Sequence, residues 1–488
     1  MCGFVGYFLS KNCNYKIQRD QLFDMINLLH HRGPDNTDLI AEKNWGLAHK
    51  RLSIIDLTEN AHQPMKKYGL TLSFNGEIYN YRELREELVD LGYKFETESD
   101  TEVLIASFHK WREECFIKLN GIFAFAIYDD EHNQMYLCRD RLGIKPLYVY
   151  NKNGLTVFGS EIKSFFPCGY IDKSLSPQAT VEYFWMNSPA GEQTVYQFVK
   201  KLKPGSYSIV SQGNCIKSTQ YFNVESIEPT DLKEEDIVEN IKTKLELSVK
   251  RQLVGDVPLC SFLSGGIDSS AITLFAAKHS TKQINTYSVE FDYYKRGKSE
   301  LPNARQISRL ANTNHHELFI SSENIAEIVS TLCYHHDEPF SDAANIPLYL
   351  LTKQIKNSYK VVLQGDGGDE LFGGYYHYNH LFRGEKLRGT AKLINNFNKI
   401  YQFKNPKLAR YQKAIRNLAS QDRAELVSRL VFGASGYSNP IDVLNHQFLN
   451  GLKTCDPFTS LRDYENYGNN SSLLHYLNIY DVRSVLPN

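Results

Sequence analysis

Near residues 211–233 the pattern of the chain changes, and that change limits the folds open to it. Before it, short strand-like runs follow one another: Gly3–Phe8, Leu70–Phe74, Ile122–Tyr128, Met135–Arg139, Leu147–Tyr150 and Leu155–Phe158. Turn residues and a few helical stretches such as Tyr81–Leu91 separate them. Strands with so few helices between them predict antiparallel sheet in an α+β domain over residues 1–210. After the change, the helix-like segment Glu234–Arg251 leads into the apolar run Val257–Leu263 and a Gly/Ser turn. The apolar helix Ala271–Ala277, the strand Asn285–Phe291 and the β run Tyr359–Leu363 follow. Strand, turn and helix in repetition predict a parallel sheet with crossover helices in an α/β domain over residues 234–488, mainly helical beyond about Tyr375. The stretch between is polar, carries Gly213 and Pro229, and reads as a linker.

A chain of 488 residues is too long for one hydrophobic core, which agrees with two domains. Its 42% hydrophobic and 23% charged content is that of globular material. The net charge of -1 gives no bulk attraction to nucleic acid or acidic membranes. Ten Lys or Arg against one acid, Glu385, between Arg383 and Arg416 read as a solvated helical face rather than an RNA site. The nine cysteines are scattered without a CxxC pair, which suits reduced thiols. No apolar run approaches the roughly 20 residues of a membrane span, and no basic start precedes the first apolar stretch. A cytoplasmic protein is expected.

Two glycine-rich turns fall where ligands of open parallel sheets bind, at the carboxyl ends of strands. Ser264-Gly265-Gly266-Ile267-Asp268-Ser269-Ser270 directly follows Cys260–Leu263. Paired glycines let several N–H groups point at one anion, and the following helix N-terminus adds its partial positive charge. A tight turn capped by Asp268 or Ser269 explains the same residues equally well. The second turn, Gln364-Gly365-Asp366-Gly367-Gly368-Asp369-Glu370, holds three acids that are costly to gather without a cation. Set on adjacent strands, the two turns make a metal–pyrophosphate site, with Mg²⁺ reconciling Asp268 with phosphate. Two decoys fail: Arg296–Ser299 lacks the first Walker glycine, which is Asp292, and Gly365-Asp366-Gly367 meets Glu370 at the sixth position of a dinucleotide fingerprint.

The amino-terminal half has its own cluster: Cys2, His31–Asp35, Arg51–Asp56, Phe74–Asn80 and Ser99–Glu102. Singly each has a dull explanation: a small apolar cysteine, an Asn-Gly turn, a surface arginine, Asp100 as an N-cap. Together they make an amide-cleaving site. Removing Met1 leaves Cys2 with an α-amine whose reference pKa is roughly 7.7–8.0, able to take the thiol proton without a histidine. The Gly76 N–H and the Asn75 side-chain amide can donate to the oxyanion. Arg51 can pair with a substrate carboxylate and Asp100 with a substrate ammonium.

These residues resemble the class II glutamine amidotransferases, and the whole layout is similar to glutamine-hydrolysing asparagine synthetase. MCGFVGYF, HRGPDN, RLSIID, FNGEIYN and SDTEVL carry the likeness in the first half; SFLSGGIDSS, DEPFSD and LQGDGGDELFGGY carry it in the second, in order from Met1 to about Tyr375. The resemblance implies an N-terminal-nucleophile αββα sandwich followed by a Rossmann-like ATP-pyrophosphatase domain. It implies Cys2 as nucleophile, Asn75 and Gly76 as oxyanion hole, and Arg51, Asn75, Gly76, Glu77 and Asp100 as glutamine-binding residues. It places ATP at Leu263, Ser264, Gly265, Gly266, Asp268, Ser269, Val289, Gln364 and Gly365, and Mg²⁺ at Asp268 and Asp369. Asp366 falls where the family has an acid linked to acyl-adenylate formation. The implied partners are glutamine, ATP and a small carboxylate, aspartate first, with asparagine, glutamate, AMP and pyrophosphate as products; a homodimer is compatible with the sequence. Another acceptor such as a sugar acid, or a chain keeping only glutaminase or binding activity, are the alternatives. The latter arises because Tyr480–Asn488 resembles the start of a stretch that leads, in the family, into a Lys-containing segment, so a truncated second domain is expected.

Overall fold

The computed structural model describes residues 1–211, 215–227, 230–291, 299–320, 325–342, 344–398, 406–420, 422–431, 452, 455–465 and 473–485. The Walker-like decoy at 292–298 and the chain end at 486–488 lie outside them. The chain divides into two compact units, one of residues 1–171, 202–337 and 342–366, the other of residues 172–201, 338–341 and 367–488.

The first unit begins with β1 (Gly3–Leu9), β2 (Asn36–Ala41), β3 (Trp45–Arg51), β4 (Met65–Lys67), β5 (Leu70–Ile78), β6 (Gly121–Asp129), β7 (Gln134–Arg139), β8 (Tyr148–Lys152) and β9 (Leu155–Gly159). After β10 (Val199–Lys201) of the second unit come β11 (Ser206–Ser211) and β12 (Cys215–Gln220). Strands β8, β9, β1, β3 and β2 hydrogen-bond side by side in that order, and β12, β11, β7, β6, β5 and β4 make a second sheet. The pairings are antiparallel, as expected from strands with few helices between them.

The run Gly121–Asp129 shows why the two sheets stack. Successive strand side chains point to opposite faces. Ala124, Ala126 and Tyr128 therefore meet Phe4, Phe8, Trp45, Leu47 and Phe158 of the first sheet. Phe123, Phe125 and Ile127 face the other way, onto Leu84 and Leu88 of the helix Tyr81–Asp90 and Val103–Phe108 of the helix Asp100–Trp111. The helix Arg19–Asn27 packs on β1 and β3. The layers are helix, sheet, sheet, helix. The polar stretch expected as a linker is partly sheet: β12 pairs with β11 over Cys215–Gln220, so the chain leaves the sandwich later than expected. Positions 212–214 and 228–229 of that stretch lie outside the described residues.

The same unit holds a parallel sheet, β13 (Leu259–Phe262), β14 (Asn285–Phe291), β15 (Asn314–Ile320) and β16 (Val361–Leu363), in the order β15-β14-β13-β16. The helices Ile267–His279 and Leu301–Ala311 make crossovers between its strands. In the second unit, helices Pro177–Met186, His377–Asn398, Pro406–Leu418, Arg423–Val431, Thr459–Glu465 and Leu473–Tyr480 enclose apolar clusters around Leu381, Leu426, Val427, Tyr476 and Leu477 and around Met186, Phe458, Leu461 and Tyr480. Among the described residues the chain beyond about Tyr375 is mainly helical, as expected.

Candidate active site

The first cluster lies where β1, β3 and β5 meet. Cys2 directly precedes β1, and its Sγ accepts from the Leu52 N–H at 3.3 Å. The Cys2 carbonyl accepts from Arg32 Nε at 2.9 Å, and Arg32 Nη1 is paired with Glu161 at 2.9 Å. Burial pushes the thiol pKa up, opposed by the Leu52 N–H and the terminal ammonium. The thiol is therefore protonated at rest and needs a proton acceptor to react. With Met1 in place the terminal amine is that of Met1. Although the Met1 side chain is largely exposed, burial of the amine near Arg32 and Lys145 lowers its pKa to about 5. An amine in this field is readily neutral, which is what a local base requires.

Asn75 and Gly76 sit in β5, opposite Ala124 and Phe123 of β6. Asn75 is fully buried, and neither its amide nitrogen nor its amide oxygen has a hydrogen-bond partner among the described residues. A buried, unsatisfied amide costs about 1–3 kcal/mol, and a bound ligand or water that it could donate to would relieve that cost. Gly76 has φ 155°, and a Cβ there would lie 2.2 Å from the Ile122 carbonyl oxygen, so no other residue fits without moving β6. Next to them His49 is fully buried, bonds Phe74 O through Nε2 at 3.0 Å, and is kept neutral by burial, with its pKa pushed down to about 3.

Glu77 and Asp100 bring two carboxyls to the same place. Desolvation and mutual repulsion raise the pKa of Glu77 well above the usual carboxylate range. Asp100, 4% exposed, is raised to about 6 by burial, against the pull of the Ile78 N–H 2.9 Å away and the start of its own helix. The helix N-cap is Ser99, whose hydroxyl accepts from Glu102 N, so Asp100 is not spent on capping. A cation set between the two carboxyls would relieve both. Arg51 is buried, and its head donates to the carbonyls of Thr58 at 2.8 Å, Ile55 at 3.4 Å and Asp56. Any carboxylate it binds shares it with that loop.

Because the folded-state pKa of Asp100 exceeds the unfolded value of about 3.9, its contribution to stability is present below about pH 4 and lost as pH rises through about 6. Asp100→Asn is expected to abolish that loss and to raise the melting temperature at pH 7 by about 2–4 °C. Thermal melts of both proteins at pH 5 and pH 8 check this; identical pH dependence in the two would contradict it.

Sequence reasoning missed Arg32, His49, Lys145 and Glu161. Lys145 is 8% exposed, and its charge acts on Glu77, Asp140 and Cys2. Its backbone is fixed by Asp140, whose carboxylate accepts from the N–H groups of Phe123, Leu142, Ile144 and Lys145 at 2.9–3.1 Å. The HRGPDN segment contained Arg32, but its value comes from Glu161, 129 residues away in sequence.

The two glycine turns follow β13 and β16, which are neighbours in the parallel sheet. Leu263 is buried and its N–H donates to Tyr287 O at 2.9 Å. In the turn, Ser264 Oγ and Ser269 Oγ are 2.9 Å apart and the Gly266 N–H donates to Ser264 Oγ. The helix N-cap is Gly266 without a side-chain bond, so Asp268 and Ser269 are not caps. Gly265, at φ 83°, packs so closely on Asn303 and Ala304 that a Cβ would lie 2.7 Å away. A Cβ on Gly365 would lie 2.9 Å from Ser269 N, so the second turn rests directly on the first. Gln364 donates to Asp366, and Val289 lies in β14 opposite Leu318. Asp369 lies in the second unit, in the short helix Gly368–Phe372. Among the described residues no three His, Cys, Asp or Glu gather into a metal cage.

Residues 1–222 match the family of glutamine amidotransferase domains, and residues 240–477 match the asparagine synthase family. Asparagine synthetase [glutamine-hydrolyzing] 1 of Bacillus subtilis is 38% identical over 381 residues, 78% of this chain and 59% of the relative. A putative asparagine synthetase [glutamine-hydrolyzing] 2 of Methanocaldococcus jannaschii is 30% identical, covering 81% of this chain and 79% of the relative. Asparagine synthetase B [glutamine-hydrolyzing] of Escherichia coli is 32% identical, covering 78% and 65%. The alignment thus spans about three fifths of the length of the first of these relatives. No helix among the described residues is long and apolar enough to cross a membrane.

Proposed function

Since the chain belongs to the glutamine-hydrolysing asparagine synthetase family, we propose that it hydrolyses glutamine at Cys2 and uses the ammonia for ATP-dependent amidation of aspartate. The observation that carries the first half is the buried amide of Asn75, without a partner among the described residues, beside Gly76 and next to Glu77, whose charge acts on the Cys2 thiol and whose own ionisation is opposed by Asp100. With Met1 removed, the Cys2 amine accepts the thiol proton as sulfur attacks the amide carbon of glutamine. Asn75 and the Gly76 N–H hold the oxyanion while the Cys2 ammonium gives its proton to the departing nitrogen, the C–N bond breaks and ammonia leaves; water then releases glutamate from the thioester. Asp100 and Glu77 receive the substrate ammonium, and Arg51 its carboxylate.

In the second half, Ser264–Ser269 and Gln364-Gly365 bind the nucleotide, with Leu263 and Val289 beside it. Asp268 and Asp369 are the carboxylates that would hold Mg²⁺, and the ion would supply neutralisation of phosphate charge. Asp366 takes part at the carboxylate being activated. AMP is the leaving group when ammonia attacks the acyl-adenylate, giving asparagine.

The test is product analysis with glutamine, aspartate and MgATP. Asparagine, glutamate, AMP and pyrophosphate in equal amounts are expected. ADP in place of AMP, or turnover on another carboxylate while aspartate fails, would overturn the assignment.

A further inference from the structure

The amino-terminal site is tied to a residue far along the chain by a row of buried charges. Arg32 donates to the Cys2 carbonyl through Nε and pairs through Nη1 with Glu161 Oε1, both at 2.9 Å. His31 Nε2 meets the same oxygen at 2.9 Å. The other Glu161 oxygen takes Lys163 Nζ, which also reaches Asp337 Oδ1 at 2.9 Å and the His335 carbonyl at 3.4 Å. The Lys163 backbone N–H donates to Asp337 Oδ2 at 3.1 Å. The side chains of Arg32, Glu161, Lys163 and Asp337 are each 6–9% exposed. Asp337 is held at φ 63°, a left-handed conformation that costs a non-glycine residue energy and persists where surroundings enforce it. It opens the segment Asp337–Asp342, within the stretch that matches asparagine synthase. The charges alternate in sign along the row, so removing one leaves an uncompensated buried neighbour rather than a solvated one.

We infer that Glu161 and Lys163 are positioning residues that tie the Cys2 carbonyl to Asp337, so that the state of Asp337 sets the reactivity of the Cys2 thiol. The inference deepens the function proposed above and rests on Cys2 being the glutamine nucleophile. Lys163 is shared between two carboxylates. When Asp337 loses its charge, Lys163 is drawn wholly to Glu161 and competes with Arg32 for it. Arg32 then slackens from the Cys2 carbonyl, and the residue that carries the sulfur is no longer held in its reactive position.

The experiment follows alkylation of Cys2 by iodoacetamide in the full chain, read on the Cys2-bearing peptide by mass spectrometry, alongside glutamine hydrolysis. Asp337→Asn is expected to lower the alkylation rate constant at least about threefold at full amplitude, and kcat about tenfold with KM within about twofold. Lys163→Met removes the competing cation, so the Lys163→Met/Asp337→Asn pair should recover most of the rate that Asp337→Asn loses, whereas Lys163→Arg/Asp337→Asn, which keeps a competing cation, should not. The pair also removes both charges together, which keeps a folded protein available if a single variant fails to fold. An unchanged rate constant, with or without reduced amplitude, would overturn the inference, because a merely structural effect lowers only the reactive fraction. Glutamine hydrolysis by a Cys2→Ala protein at the normal rate would instead overturn the nucleophile assignment, and the alkylation rates would still decide the tie.

Discussion

Cys2→Ser is expected to lower glutamate release from glutamine by at least about a thousandfold, while amide formation from free ammonia continues. Serine keeps the size of the side chain and can still accept from the Leu52 N–H that now meets Sγ at 3.3 Å. What it loses is acidity. Burial already raises the thiol pKa, and a hydroxyl in the same pocket starts from a far higher value. The Cys2 α-amine freed by loss of Met1, with a reference pKa of roughly 7.7–8.0, can take a thiol proton far more readily than a hydroxyl proton. Steady-state glutamate release measures the effect; wild-type rates in the serine variant would show that another group attacks the amide.

Asn75→Ala should lower kcat for glutamine hydrolysis by about 100–1000-fold, with KM within about threefold, because an oxyanion donor acts on charge that develops only in the transition state. The stability change should be unusual for a residue that is 0% exposed. Truncating a buried side chain leaves a cavity, but here no hydrogen bond among the described residues is lost, because neither amide atom has a partner. The two contributions oppose each other, and the melting temperature is expected to stay within about 3 °C of wild type. A large loss of stability with unchanged kcat would assign Asn75 a structural role.

These residues were legible in the sequence because each lies in a short local pattern whose chemistry is local too. Asn75-Gly76 reads as a turn or an oxyanion hole from two letters, and the structure puts it inside β5, where only glycine tolerates the approach of Ile122 O. The strand Gly121–Asp129 was legible because both of its faces are apolar. By contrast β3 was missed: Trp45–Arg51 is buried throughout, yet it ends in His49-Lys50-Arg51, a run that looks exposed. Those polar heads reach partners that the local pattern does not show: Phe74 O for His49 Nε2, Asn27 and Thr37 for Lys50, and the 55–58 loop for Arg51. The Arg32–Glu161–Lys163–Asp337 row was invisible for the same reason. Pattern reading sees neighbours along the chain, whereas the Glu161–Lys163 pair is joined to Arg32 and to Asp337, each more than a hundred residues away. The β12 strand shows the converse error: a polar strand at the sheet edge has the composition of a linker.

The most direct test uses a diazoketone analogue of glutamine, which alkylates the nucleophile that attacks its side-chain carbonyl. Mass analysis of the labelled protein should find Met1 removed, one equivalent of label on Cys2, and protection by excess glutamine. Label on another residue, or full labelling with Met1 retained, would contradict a site built on the thiol and amine of one terminal cysteine.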